Sequence, residues 1–167
     1  VNDKAGVFNG HSGHRVEAQL RWSGGRLLDE ADGVIARAND EVLTVAEDHL
    51  LLENLGSQMC FRLRGTSSQG TFFNLQQTTF SVSRLSATCG PHRYILERTR
   101  PFKRERCVKV LGAGEDAPVT IARTSPELGG DLVITRTPAG EALPLADLAF
   151  LTWGISLVDL PRQTRRI

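Results

Sequence analysis

Between Asp147 and Asp159 the chain carries an eleven-residue stretch, Leu148 to Val158, that is apolar on nearly every side. Only Thr152, Gly154 and Ser156 interrupt it. Pro144 suits the first turn of a helix, and Asp147 sits early enough to face the positive end of its dipole. Pro161 supplies the exit. A helix apolar all round must be surrounded by protein or by lipid. Spanning a bilayer takes about 20 residues, so this helix is expected to be wrapped by the rest of its own chain.

The rest of the chain reads as short strands. Val16, Ala18, Leu20 and Trp22 alternate with polar residues, the period-2 pattern of a half-buried strand. Arg26-Leu27-Leu28 and Val34-Ile35-Ala36-Arg37 flank an acidic Asp-Gly turn, the chemistry of a tight hairpin. The same unit of strand, acidic or Gly-rich turn and strand recurs at His49 to Glu53 with Gln58 to Arg64. It recurs again at Arg106 to Leu111 with Pro118 to Arg123. Thr71 to Leu75, Thr79 to Leu85, His92 to Glu97 and Asp131 to Thr137 complete about ten candidates, at the spacing of a barrel or sandwich. Phe72, Phe73 and Phe80 fit core positions on these strands. Trp153 fits the helix core, with an indole N–H that needs a partner.

Together these elements predict a mainly β fold, a closed antiparallel β-barrel around one central hydrophobic C-terminal helix. The alternatives are a last buried strand, or a β-sandwich with the helix packed on one face. With 167 residues the chain is long enough for one domain with a real core. The Gly-, Asn-, His- and Ser-rich residues 1–15 read as a disordered lead-in, and 16–167 as the single domain.

The strand and turn pattern resembles the tubby C-terminal-like superfamily, which includes phospholipid scramblases and LURP-one-related proteins. The residues carrying the likeness are Leu28 to Arg37, Cys107 to Arg123 as their later counterpart, and Asp147 to Asp159 as the helix. The resemblance implies a closed barrel of about twelve strands around the helix. It also implies binding to phosphoinositides or membrane lipid, as in the tubby and scramblase branches. It carries over no individual lipid-binding residue.

Charge is distributed unevenly although the whole chain is only +1. From Arg26 to Glu53 there are eight acids (Asp29, Glu30, Asp32, Asp40, Glu41, Glu47, Asp48 and Glu53) against Arg26 and Arg37. From His92 to Lys109 there are seven bases against Glu97 and Glu105. The tail adds Arg162, Arg165 and Arg166. A net charge this small argues against general nucleic-acid binding, so any electrostatic partner must recognise a local patch. The candidate patch is Arg98, Arg100, Lys103, Arg104 and Arg106, with Phe102 inside it. Forked guanidinium donors suit phosphate, and an aromatic ring can dip into a membrane interface. The bland alternative is a solvated loop whose cations pair with the acidic hairpins of the same molecule.

Three cysteines, Cys60, Cys89 and Cys107, make a poor disulfide framework. They predict a reducing compartment and free, mostly buried thiols. No basic, apolar and small-residue leader pattern opens the sequence, so the expected location is cytoplasmic or peripheral to a membrane. Cys89-Gly90-Pro91-His92 is a usable pair of metal ligands, yet Cys60, Cys107 and His49 are the only other candidates and none lies at metal-finger spacing. His11 and His14 fall in the lead-in. No cofactor is expected.

The acidic turn at Asp29 to Gly33 lacks the alternating carboxylates of a calcium loop. No GK[ST] ending or Gly-x-Ser-x-Gly elbow is present. The sequence therefore predicts a non-enzymatic binding module for anionic phospholipid headgroups. The alternatives are a protein-interaction module, and a metal- or thiol-dependent protein centred on Cys89 and His92.

Overall fold

The computed structural model describes residues 17–112, 114 and 116–161. Twelve strands follow in chain order: β1 (Ala18–Ser23), β2 (Arg26–Leu28), β3 (Val34–Ala38), β4 (Val42–Val45), β5 (Asp48–Asn54), β6 (Arg62–Ser67), β7 (Phe72–Gln77), β8 (Arg84–Cys89), β9 (His92–Arg98), β10 (Arg106–Val110), β11 (Val119–Pro126) and β12 (Leu132–Arg136). Each pairs antiparallel with its neighbours in sequence, and β1 pairs with β12 to close the barrel. A one-turn helix α1 (Pro138–Glu141) then leads to α2 (Leu145–Asp159). The lead-in, Val16 and the tail arginines Arg162, Arg165 and Arg166 lie outside the described residues.

Helix α2 runs through the barrel. At 1.5 Å per residue it is about 22 Å long, close to the roughly 20 Å of a six-residue strand. Side chains from all round the wall meet it. Trp22 of β1 packs against Trp153 at 5.1 Å between ring centroids, and Phe73 of β7 meets Phe150 edge-on at 5.4 Å. Leu148, Ala149, Phe150, Leu151 and Ile155 are buried among inward-facing strand residues such as Leu27, Leu43, Leu75, Leu96 and Ile134. Glycines make the close approaches possible. A Cβ on Gly65 of β6 would stand 3.1 Å from Phe150, and one on Gly154 would overlap the Leu75 side chain.

The structure corrects several sequence expectations. Strand β4 was not among them. The segment around Thr79 is a turn, and its strand begins at Arg84. The second strand of the 49–64 hairpin starts at Arg62, after a loop. Phe80 is fully exposed on the first of these turns, and Phe72 faces outward where Phe73 faces in. The alternation of a strand decides which of two adjacent phenylalanines enters the core. In the acidic hairpin, Asp32 rather than Gly33 takes the left-handed conformation, at φ 60°. Asp29 closes that turn by accepting from the backbone N–H groups of Ala31 and Gly33. The cysteines are free, but Cys60 is exposed and Cys107 half-buried, so only Cys89 meets the expectation of burial.

Candidate functional site

An up-and-down barrel sends its hairpin turns alternately to two rims. Turns β1–β2, β3–β4, β5–β6, β7–β8, β9–β10 and β11–β12 share one rim with the C-terminus of α2. The remaining turns share the other rim with its N-terminus. A polar latch holds the helix at each end.

At the N-terminal end Asp147 is buried. Its Oδ2 accepts from the Tyr94 hydroxyl at 2.6 Å, and His92 Nδ1 lies 3.3 Å away. Burial pushes the Asp147 carboxyl above its ordinary range, although Tyr94 and His92 both pull it down. Burial, with the hydrogen bond to Asp147, also pushes the Tyr94 hydroxyl up. Cys89 faces His92 across the β8–β9 hairpin. Its thiol is pushed far upward by burial and then by the charge of Asp147. A thiol so held is protonated at neutral pH, the reverse of what a nucleophile or a thiolate ligand needs. No cluster of three metal-ligating side chains occurs among the described residues.

At the C-terminal end three of the five sequence-selected cations converge on Asp159. Arg106 is fully buried and grips the carboxylate with two hydrogen bonds, Nε to Oδ2 at 2.6 Å and Nη2 to Oδ1 at 2.9 Å. Arg98 Nη2 donates to Oδ1 at 3.1 Å. Arg104 Nη1 donates to the Asp159 backbone carbonyl at 2.9 Å. Arg106 is therefore a core residue and cannot face a membrane. Arg98 is mostly committed to the same carboxylate. Arg104 remains exposed beyond its one contact. Sequence reasoning missed this latch, because Asp159 looked like a helix boundary and the five cations like one loop.

The β9–β10 turn then presents a tip of Arg100, Pro101, Phe102 and Lys103. It is shaped by Thr99 N–H bonding to Glu105 O and Lys103 N–H to Arg100 O. Phe102 sits at φ 63°, an uncommon conformation for a bulky residue. Its ring is fully exposed. No salt bridge among the described residues involves Arg100 or Lys103. The alternative, pairing of these tip cations with the acidic hairpins, is not formed: the Asp29 to Gly33 turn lies on the opposite rim. The acidic β3–β4 turn, with Asp40 and Glu41, lies diametrically across the ring.

Sequence reasoning also missed the apolar company of this tip. Leu55 and Met59 on β5–β6, Phe80 on β7–β8, Phe102 on β9–β10 and Leu128 on β11–β12 all project from one rim. Met59 is 86% exposed, and Phe80, Phe102 and Leu128 are fully so. The other exposed large apolar residues, Val34, Leu51, Phe72 and Val119, lie on the wall or at the far rim and are each better covered than Met59, Phe80, Phe102 and Leu128. Knowing which turns share a rim requires the strand count, which the sequence pattern gave only approximately.

No protein-family model matches the sequence, and neither a curated protein nor a solved structure matches the chain. The architecture is a closed twelve-strand antiparallel barrel around a C-terminal helix. No helix among the described residues is long and apolar enough to cross a membrane.

Proposed function

We propose that the chain is a non-enzymatic module that binds anionic phospholipid surfaces with the rim bearing the β9–β10 tip. One observation carries the reading: Arg100, Lys103 and Arg104 share a rim with exposed Met59, Phe80, Phe102 and Leu128. Near an anionic bilayer each cation contributes about 1 kcal/mol. Three cations give about 3 kcal/mol, too little to hold a protein of this size alone. Each large apolar side chain moved fully out of water adds about 1.5–3 kcal/mol. Cations and apolar tips together reach useful affinity where neither set does. The expected setting is the cytoplasmic side of a membrane. Kinship with tubby-like proteins belongs to the same proposal, and the barrel around a helix supports it on architecture alone.

The test is co-sedimentation with phosphatidylcholine vesicles with and without phosphatidylserine, at low and physiological salt. Binding is expected only to the anionic vesicles and should weaken with salt, because exposed charges are screened. Arg100→Ala/Lys103→Ala and Phe102→Ser/Phe80→Ser should each reduce it without changing the melting temperature. Equal binding to neutral vesicles, or none to either, would overturn the proposal.

A further inference from the structure

The sequence contains a single methionine, Met59. Methionine commonly fills irregular gaps in a core, but this one stands 86% exposed on the β5–β6 loop. Gln58 and Met59 form the turn of a miniature hairpin. Ser57 N–H bonds to Cys60 O at 2.9 Å, and Cys60 N–H to Ser57 O at 3.3 Å. Below it, Leu55 N–H bonds to Arg62 O at 2.9 Å. Asn54 accepts from the Gly56 N–H, and Ser57 Oγ from the Met59 N–H. Gly56 packs so closely that a Cβ there would overlap the Cys60 carbonyl. None of these bonds uses the Met59 side chain, which the loop holds out on the rim beside Leu55, Phe80, Phe102 and Leu128.

The leucines and phenylalanines of this rim are inert to mild oxidants. Met59 is the one member of the set whose polarity a peroxide can change, and its exposure lets the reagent reach it without unfolding. We infer that Met59 is an oxidative switch of the rim: conversion of its thioether to the sulfoxide weakens attachment to an anionic membrane. The inference rests on the function proposed above and assigns a regulation to that same surface. In the reaction the sulfur lone pair attacks one oxygen of hydrogen peroxide. The S–O bond forms as the O–O bond breaks, the sulfur loses two electrons, and the peroxide is reduced to water. The sulfoxide is a polar hydrogen-bond acceptor and costs free energy to take out of water. A methionine sulfoxide reductase reverses the step, two thiols becoming a disulfide as the oxygen leaves as water.

Cys60 is a second exposed target on the same loop, so the test uses the full chain carrying Cys60→Ser. The protein is treated with dilute hydrogen peroxide, and peptide mass mapping follows the added oxygen. It is then sedimented with phosphatidylcholine vesicles containing phosphatidylserine. Met59 is expected to oxidise in the folded protein about as fast as free methionine, with no change in melting temperature. Vesicle binding should weaken about tenfold, as loss of one apolar anchor implies. Reductase treatment should restore it. In a Met59→Leu version, peroxide should leave binding where it was before treatment, whereas Met59→Gln should bind as weakly as the oxidised parent. Binding unchanged by complete oxidation of Met59, or an equal loss in peroxide-treated Met59→Leu, overturns the switch and leaves the surface reading standing. Absence of vesicle binding by the untreated protein overturns both.

Discussion

Arg106 and Asp159 meet through two parallel hydrogen bonds of 2.6 and 2.9 Å, with both side chains fully buried. One comes from the barrel wall and the other from the last residue of the helix inside it. Removing Asp159 leaves Arg106 as an uncompensated charge in the core, at a cost of about 3–5 kcal/mol. Asp159→Ala should therefore lower the urea midpoint strongly without changing the fold class. Arg106→Met/Asp159→Leu should recover most of the loss, since an apolar pair of similar volume often matches a buried ion pair. Equilibrium unfolding of the two single variants and the double variant checks this.

The five cations of the β9–β10 region should divide by role. Arg98→Ala loses a partly buried contact to Asp159 and is expected to cost about 1–3 kcal/mol, as a hydrogen bond to a charged group does. Arg100→Ala and Lys103→Ala are expected to stay within about 0.5 kcal/mol of the parent, as exposed substitutions usually do. Thermal melts of the three single variants are sufficient. A stability loss from Arg100→Ala equal to that from Arg98→Ala would contradict the division.

Gly154 sets helix propensity against packing. In an open helix, Gly→Ala stabilises by about 1 kcal/mol. Here the added methyl would overlap Leu75, itself fully buried. Overpacking of this kind costs about 1–3 kcal/mol, so Gly154→Ala should destabilise. Trimming the opposing residue, as Gly154→Ala/Leu75→Val, should reduce the penalty. Stabilisation by the single variant would mean that the helix fits the barrel more loosely than the structure shows.

Asp147 makes stability depend on pH with an unusual sign for a carboxylate. Its folded pKa is raised by burial, so the folded state holds the proton more tightly than the unfolded state does. Its contribution is fully present below the unfolded value of about 3.9 and is lost as pH rises through the folded value. Asp147→Asn cannot titrate. The stability of the parent relative to this variant should therefore fall as pH rises through that window. Tyr94→Phe removes a hydrogen bond that opposes the shift and should move the window to higher pH. Urea titrations across a pH series measure both.

The thiols should separate by rate. Cys60 is exposed, whereas Cys89 is 2% exposed with its pKa pushed up. Native protein treated with a thiol reagent at neutral pH should show one fast reaction, removed by Cys60→Ser. Cys89 should react only on unfolding. A fast phase surviving in Cys60→Ser but lost in Cys89→Ala would revive the case for a reactive thiol.

Much of the fold was legible because two periodicities are local. Alternation at Ala18 to Trp22 marked a strand, and the apolar surround of residues 148–158 marked a helix that must be enclosed. Errors arose where local chemistry is ambiguous. Val42–Val45 is too short to stand out between acidic turns, and Phe80 is apolar but placed on a turn.

The sequence by itself determined a mainly β chain with one C-terminal segment, apolar on every side and too short for a bilayer, that the rest of the chain must enclose; the structure decided for a closed barrel over a sandwich. The sequence also determined that cations cluster between Arg98 and Arg106. Only the tertiary structure decided what those cations do. Barrel closure brings Asp159 beneath Arg98, Arg104 and Arg106, turning them towards the helix end, and leaves Arg100 and Lys103 outside. Strand parity likewise gathers Met59, Phe80, Phe102 and Leu128 on one rim. Residues so far apart in sequence carry no mark of sharing a surface, because their proximity depends on how many strands lie between them and in which direction each runs.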